Sequence, residues 1–124
     1  MLDVLYICES IIPWALNLTK RLKIYGVTFF TQSCLASLIY YQVYQGILSA
    51  PIEGPGVICV AGMPFIEARD LPSFVRVVGV HPTIEKLVLN QFSNCGAADW
   101  RFCNTVEGLE SKVAVALRQR ELHP

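Results

Sequence analysis

Apolar and polar positions change rhythm most clearly between Tyr25 and Gly46. Val27, Thr28, Phe29 and Phe30 form a short β-branched and aromatic run that reads as a strand. Thr31-Gln32-Ser33 is a polar corner, and Leu35, Leu38, Ile39 and Val43 follow at helical spacing. Gly26, ahead of the run, is placed to end a preceding helix in the left-handed conformation. Strand, polar corner and helix make half of a βαβ unit. In open α/β sheets, ligands bind at such a corner, outside the carboxyl end of the strand.

The same reading extends along the chain. Val4 to Ile7 is a continuous apolar run, as expected of a parallel strand buried on both faces. Cys8 to Ile12 forms the turn after it, and Pro13 suits a first helical position. Trp14, Ala15, Leu18 and Leu22 are predicted to line the buried face of that helix, with Lys20, Arg21 and Lys23 complementing the dipole at its end. Ser49 to His81 holds Pro51, Pro55, Pro64 and Pro72 with Gly54, Gly56 and Gly62, too broken for regular structure. Its apolar residues (Val57, Ile58, Val60, Met63, Phe65, Leu71, Phe74, Val75) predict that it packs over a groove. Pro82 starts another helix, with Ile84, Leu87, Val88 and Phe92 as its stripe and Gly96 as its stop. Trp100 to Asn104 reads as a third strand. Asn104 and Glu107 are spaced as a capping pair for a last helix carrying Leu109, Val113, Ala116 and Leu117.

Strands and helices therefore alternate, which predicts an α/β fold with a parallel sheet and flanking helices. Three polar corners follow the three strands: Glu9-Ser10, Thr31-Gln32-Ser33 and Asn104-Thr105. At least the first two are expected to meet on one sheet edge.

Composition changes this picture in three ways. At 124 residues the chain is one domain at most. The hydrophobic fraction is 53% and the charged fraction 16%, so apolar surface exceeds what a domain this small hides well. The expectation is a piece of a larger fold. Net charge is zero and Lys and Arg cluster only at Lys20-Arg21-Lys23, which gives no nucleic-acid footprint. The five cysteines, at 8, 34, 59, 95 and 103, lack zinc-site spacing, and no basic-then-apolar signal segment is seen. They read as reduced, buried thiols of a cytoplasmic protein, with no metal. Ile24 to Ile52 carries no charge, but its Gln, Ser and Thr residues and its strand-like start argue against a membrane span.

Several segments then carry a resemblance. They are Pro13-Trp14-Ala15-Leu16, Phe29-Phe30-Thr31-Gln32-Ser33-Cys34, Ile39-Tyr40-Tyr41-Gln42-Val43-Tyr44-Gln45-Gly46, Asp70-Leu71-Pro72-Ser73-Phe74-Val75, Asn90-Gln91-Phe92-Ser93-Asn94 and Ala98-Asp99-Trp100. In this order they resemble the N-terminal domain of plant UDP-glycosyltransferases, near the subgroup that glucosylates small carboxylic acids, phenols and thiohydroximates. The resemblance implies an incomplete N-terminal half of a GT-B fold, with a Rossmann-like parallel sheet. It makes residues 1–124 a partial acceptor-side domain, lacking the C-terminal UDP-sugar-binding domain.

The resemblance also assigns residues. Glu9 stands where the family has an Asp that holds a catalytic His, the base for an acceptor hydroxyl that attacks the anomeric carbon and inverts it. Glu in place of Asp shifts the carboxylate by about 1 Å or more, a misplacement that can cost roughly a hundredfold in rate. The catalytic His is expected upstream of this stretch, and neither His81 nor His123 matches its position. Without the resemblance, Glu9 is a solvated carboxylate near a helix start. Thr31 matches a position facing the donor sugar, and its competing reading is a helix-cap hydroxyl. Ile11 and Ile12 match a turn lining the acceptor pocket. Tyr40, Tyr41 and Tyr44 read as core with phenol groups at the boundary. Arg101 is costly in a doubly buried strand unless paired, which points to an edge strand or to a sequence no longer held to the fold.

The function implied is glucose transfer from UDP-glucose, as co-substrate, to a small-molecule acceptor, with no separate cofactor. This chain alone is expected to be inactive. The alternative is a non-catalytic remnant that pairs with itself or a full-length relative through exposed apolar surface.

Overall fold

The computed structural model describes residues 4–59 and 65–121. Strand β1 (Leu5–Glu9) leads to helix α1 (Pro13–Leu22), β2 (Tyr25–Phe30) and α2 (Cys34–Tyr44). A two-residue hairpin follows, β3 (Val57–Ile58) with β4 (Ile66–Glu67), then a 3-10 turn at Ala68–Asp70 and the single-turn helix α3 (Ser73–Arg76). Helix α4 (Pro82–Asn90), a 3-10 turn at Cys95–Ala97, β5 (Trp100–Cys103) and α5 (Glu107–Glu121) complete the described order.

The main sheet is parallel, in the order β1-β2-β5, with Ile7 beside Val27 and Val27 beside Trp100. This is the predicted α/β alternation. Side chains of successive strand residues point to opposite faces. Cys8 packs with Ala15 and Leu16 of α1, and Gly26 abuts Leu16 and Thr19, so α1 sits over the junction of β1 and β2. Phe30, on the same face as Gly26, stacks on Phe92 beyond α4 at 5.7 Å. The principal core forms there, from Phe30, Ile39, Tyr40, Tyr41, Val75, Val88 and Phe92 among others. Helices therefore cover one face of the sheet. On the other, Leu5, Ile7, Trp100 and Phe102 stay about half exposed.

Several expectations are corrected. Lys23, not Gly26, takes the left-handed position after α1, with φ 56°. Gly26 instead lies inside β2, where helix and strand approach too closely for a side chain. The buried side of α1 is Ala15, Leu16 and Thr19, whereas Trp14, Leu18 and Leu22 are exposed. Only Val88 and Phe92 of the stripe predicted for α4 are buried, and α4 stops at Asn90 rather than near Gly96. The long middle stretch is not structureless. Its hairpin and α3 bring Ile66, Leu71 and Val75 into the core, while Val57 and Phe65 face outward. Val60 and Met63 lie outside the described residues, as does the side chain of Leu117. In α5, Val113, Ala114 and Ala116 pack on Cys34 and Leu38, and Leu109 is exposed.

Other expectations hold. Tyr40 and Tyr41 are core residues, and Tyr41 meets Phe92 edge-on at 5.3 Å, whereas Tyr44, expected with them, is 41% exposed. Arg101 lies on a strand at the edge of the described sheet and donates to the Cys95 carbonyl at 3.2 Å. Cys8, Cys34 and Cys95 are buried, but Cys59 is exposed. The uncharged run from Ile24 to Ile52 divides into β2 and α2. No helix among the described residues is long and apolar enough to cross a membrane.

Candidate active site

The three polar corners meet at the carboxyl edge of the sheet. Thr31 donates from Oγ1 to Glu9 Oε1 at 3.4 Å, joining the first corner to the second. Asn104 donates from Nδ2 to the Thr31 carbonyl at 3.0 Å, joining the second to the third. Glu9, Thr31 and Asn104 are all solvent-exposed, as a substrate-facing edge requires. The capping residue of α2 is Ser33, whose hydroxyl accepts the Ala36 N–H at 3.2 Å. Thr31 is thus relieved of the capping role that competed for it. Asn104 is spent on the Thr31 carbonyl rather than on α5, and the Glu107 side chain lies outside the described residues.

Two braces behind the corners were not anticipated from the sequence. Buried Ser10 donates to Gln91 Oε1 at 2.7 Å, and Gln91 Nε2 donates to the Val88 carbonyl at 2.6 Å. Asn94 Nδ2 reaches the Pro13 carbonyl at 2.8 Å and Asn17 Oδ1 at 2.9 Å. The Asn90-Gln91-Phe92-Ser93-Asn94 segment therefore clamps the turn that carries Glu9. Its amide-rich composition was the available signal. The second brace is Glu110, whose carboxylate accepts the Cys34 and Leu35 N–H groups at 3.2 and 3.1 Å and the Thr105 hydroxyl. Partial burial pulls this carboxyl up, but the three hydrogen bonds outweigh it and hold the carboxyl below its ordinary value.

Ile11 and Ile12 are half-buried. Ile12 packs on the small cluster of Cys8, Ala15 and Leu16, and its N–H closes the turn onto the Glu9 carbonyl at 3.1 Å. His81 precedes α4 as an exposed residue without a side-chain capping bond, and His123 lies outside the described residues. A cavity of about 390 Å³ is lined by Tyr40, Val43, Leu48, Phe74, Val75 and Val88. It lies toward the far end of α2 from Thr31, about 16 Å away along an 11-residue helix. Among the described residues, no group of three or more His, Cys, Asp or Glu side chains could hold a metal ion.

Comparison with known proteins decides what this edge belongs to. The chain is 40% identical over 110 residues to UDP-glycosyltransferase 74C1 of Arabidopsis thaliana, covering 86% of this chain and 24% of the relative. The sequence belongs to the plant UDP-glycosyltransferase family, of which it spans a segment. Indole-3-acetate beta-glucosyltransferase of Zea mays is 35% identical over 121 residues, 88% of this chain and 26% of the relative. Mogroside I-E synthase of Siraitia grosvenorii is 36% identical over 105 residues, 85% of this chain and 23% of the relative. The chain thus spans about a quarter of the length of the curated relatives it matches. No family model matches it.

Solved structures agree on the fold. Os79 from O. sativa, in complex with UDP, superposes with a TM-score of 0.75 at 21% identity, over 93% of this chain and 26% of that one. Apo UGT2 of Phytolacca americana gives 0.73 at 14% identity, over 92% and 26%. The α/β unit is a partial segment of the GT-B glycosyltransferase architecture.

Proposed function

We propose that this segment is the acceptor-side part of an enzyme that moves glucose from UDP-glucose to a small hydroxyl, carboxyl or thiol acceptor. The observation that carries the reading is the contact between Glu9 and Thr31 at the carboxyl edge of a parallel sheet. Family membership and the UDP-bound neighbour support it. In the proposed reaction a base supplied outside these residues, a His in the family, takes the acceptor proton. The acceptor atom attacks the anomeric carbon from the face opposite UDP, which leaves, so the configuration inverts. Glu9 orients the imidazole and stabilises its charged form. Thr31 contacts the donor sugar, its hydroxyl held toward Glu9 and its carbonyl fixed by Asn104. Ile11 and Ile12 present apolar surface to the acceptor. The reading assigns the base and the donor site to parts of the enzyme outside this segment, so the segment by itself is expected not to turn over. A cytoplasmic setting is part of this reading, in keeping with the burial of Cys8, Cys34 and Cys95 as small apolar side chains.

The test is a segment exchange. Residues 4–121 replace the homologous segment of UDP-glycosyltransferase 74C1, and transfer from UDP-glucose to a panel of phenols, acids and thiols is followed. A folded chimera that transfers glucose supports the reading, and a folded chimera without transfer overturns it. Within an active chimera, Glu9→Ala lowers kcat by roughly a hundredfold and Glu9→Asp raises it, on the scale of an ångström's misplacement. An unchanged kcat in Glu9→Ala removes Glu9 from the mechanism.

A further inference from the structure

A buried relay of hydrogen bonds lies behind Glu9 and touches no reacting atom. Its members, Ser10 and Gln91, are 3% and 5% exposed and stand 81 residues apart in the chain. Gln91 is the C-cap of α4, and Val88 belongs to the last turn of that helix, where carbonyls lack helical partners. The Val88 carbonyl can only accept, so the amide turns its Nε2 to it, at 2.6 Å. Oε1 is left facing Ser10, whose hydroxyl must then donate, at 2.7 Å. Each bond of the relay therefore has one possible direction.

Ser10 follows Glu9 directly. Successive residues of a strand point to opposite faces, so Cys8 and Ser10 turn toward α1 and α4 while Glu9 turns the other way with Leu5 and Ile7. The Ser10 N–H pairs with the Phe29 carbonyl at 2.9 Å as the chain leaves the sheet, and the Ile12 N–H folds back onto the Glu9 carbonyl at 3.1 Å. The Glu9 side chain is exposed, and its 3.4 Å contact with Thr31 is too long to fix it. Its placement is inherited from the backbone, and the side chain that anchors this backbone at the sheet edge is Ser10.

We propose, resting on the role of Glu9 in glucose transfer, that Gln91 is a positioning residue for the Glu9 carboxylate, acting through Ser10. Without the amide, the buried Ser10 hydroxyl loses its acceptor and the corner is free to twist about the strand axis. The carboxylate then moves relative to the imidazole it orients, on the ångström scale to which rates respond. A bond that merely held α4 against β1 would act differently. Its loss would cost stability and leave the kcat of the folded molecules alone.

A kinetic cycle in the glucose-transferring chimera tests this, with circular dichroism as the folding control. Gln91→Met keeps the length of the side chain and removes both bonds. It is expected to lower kcat by roughly tenfold, short of the loss expected for Glu9→Ala. The acid limb of its kcat/KM profile moves to lower pH, because a displaced carboxylate stabilises the imidazolium less. In the Glu9→Ala background the same substitution changes neither kcat nor the profile, since no carboxylate remains to be positioned. Ser10→Ala breaks the relay at its other end and gives the same pattern should Gln91→Met misfold. A folded Gln91→Met enzyme with unchanged kcat, or equal losses in the parent and Glu9→Ala backgrounds, overturns the proposal and leaves the role of Glu9 standing. An unchanged kcat in Glu9→Ala alone, or a folded chimera without transfer, removes that role and the proposal with it.

Discussion

Glu110 accepts the Cys34 N–H at 3.2 Å although 76 residues separate them. The backbone of α5 leaves helical geometry at Glu110 itself (φ −129°, ψ 30°), and this turns the carboxylate toward the N-terminus of α2. With the Leu35 N–H and the Thr105 hydroxyl also bound, one carboxylate satisfies two open N–H groups of α2 and ties α5 to the corner that carries Thr31.

Removing Glu110 therefore weakens more than a surface bond. Glu110→Ala is expected to destabilise the chain by about 1–2 kcal/mol, the upper part of the range for a lost helix cap. The sign with pH follows from the lowered carboxyl. Its contribution is full above the ordinary value of 4.5 and is lost as pH falls through the lower folded value. Urea titrations at pH 7 and through the acid range check this: the gap between parent and Glu110→Gln closes on acidification. A gap that stays constant would show that the charge is irrelevant.

A second weak point is Gly26. A Cβ there would stand 2.4 Å from Thr19 Oγ1 and 2.7 Å from Leu16 Cδ1. Neither atom has room to retreat, since Leu16 and Thr19 are both 1% exposed and the Thr19 hydroxyl is bonded to the Leu16 carbonyl at 2.7 Å. Gly26→Ala is expected to cost about 1–3 kcal/mol by overpacking. Thr19→Ala should recover part of that loss in the double variant, and denaturant midpoints of the four proteins give the coupling directly.

These two residues show where the sequence was legible. The order of strands and helices, and the convergence of Glu9 with Thr31, follow from patterns local to each element: β-branched runs, helical spacing, and polar corners between them. The buried side of α1 was not legible, because Trp14, Leu18 and Leu22 are more apolar than Ala15 and Thr19. Periodicity reports that a face is apolar, not which neighbour covers it. Gly26 was read as a helix stop because its need for close approach is set by Thr19 and Leu16 on another element. Glu110, Gln91 and Asn94 act across 76 to 81 residues, beyond any local pattern.

Asp99 links α1 to β2 just before β5 begins. Its Oδ2 accepts the Gly26 N–H at 2.8 Å and the Lys20 ammonium at 2.9 Å. The Gly26 N–H first, then Lys20, holds the carboxyl below its ordinary value. Asp99→Asn is expected to lower Tm at pH 7 more than Lys20→Met does, because the backbone bond persists when only the ammonium is removed. The Asp99 contribution is present above pH 3.8 and is lost as pH falls through the depressed value. Added salt should narrow the Lys20→Met difference and leave most of the Asp99→Asn difference, since Lys20 is partly exposed. Calorimetry at two salt concentrations tests both statements.

Gln42 carries the reverse expectation. It is 0% exposed on α2, and among the described residues neither its Oε1 nor its Nε2 has a hydrogen-bond partner. A buried amide in that state costs about 1–3 kcal/mol of desolvation that no bond returns. It follows Cys34 and Leu38 at four-residue spacing, and those two pack against Val113, Ala114 and Ala116. An unbranched apolar side chain of similar length suits that stripe. Gln42→Met is therefore expected to stabilise the fold by about 1 kcal/mol, with the urea midpoint rising and the m-value unchanged. A fall in the midpoint instead would mean that the amide is bonded to an enclosed water, and Gln42→Leu, which closes the same space without a polar atom, would fall with it.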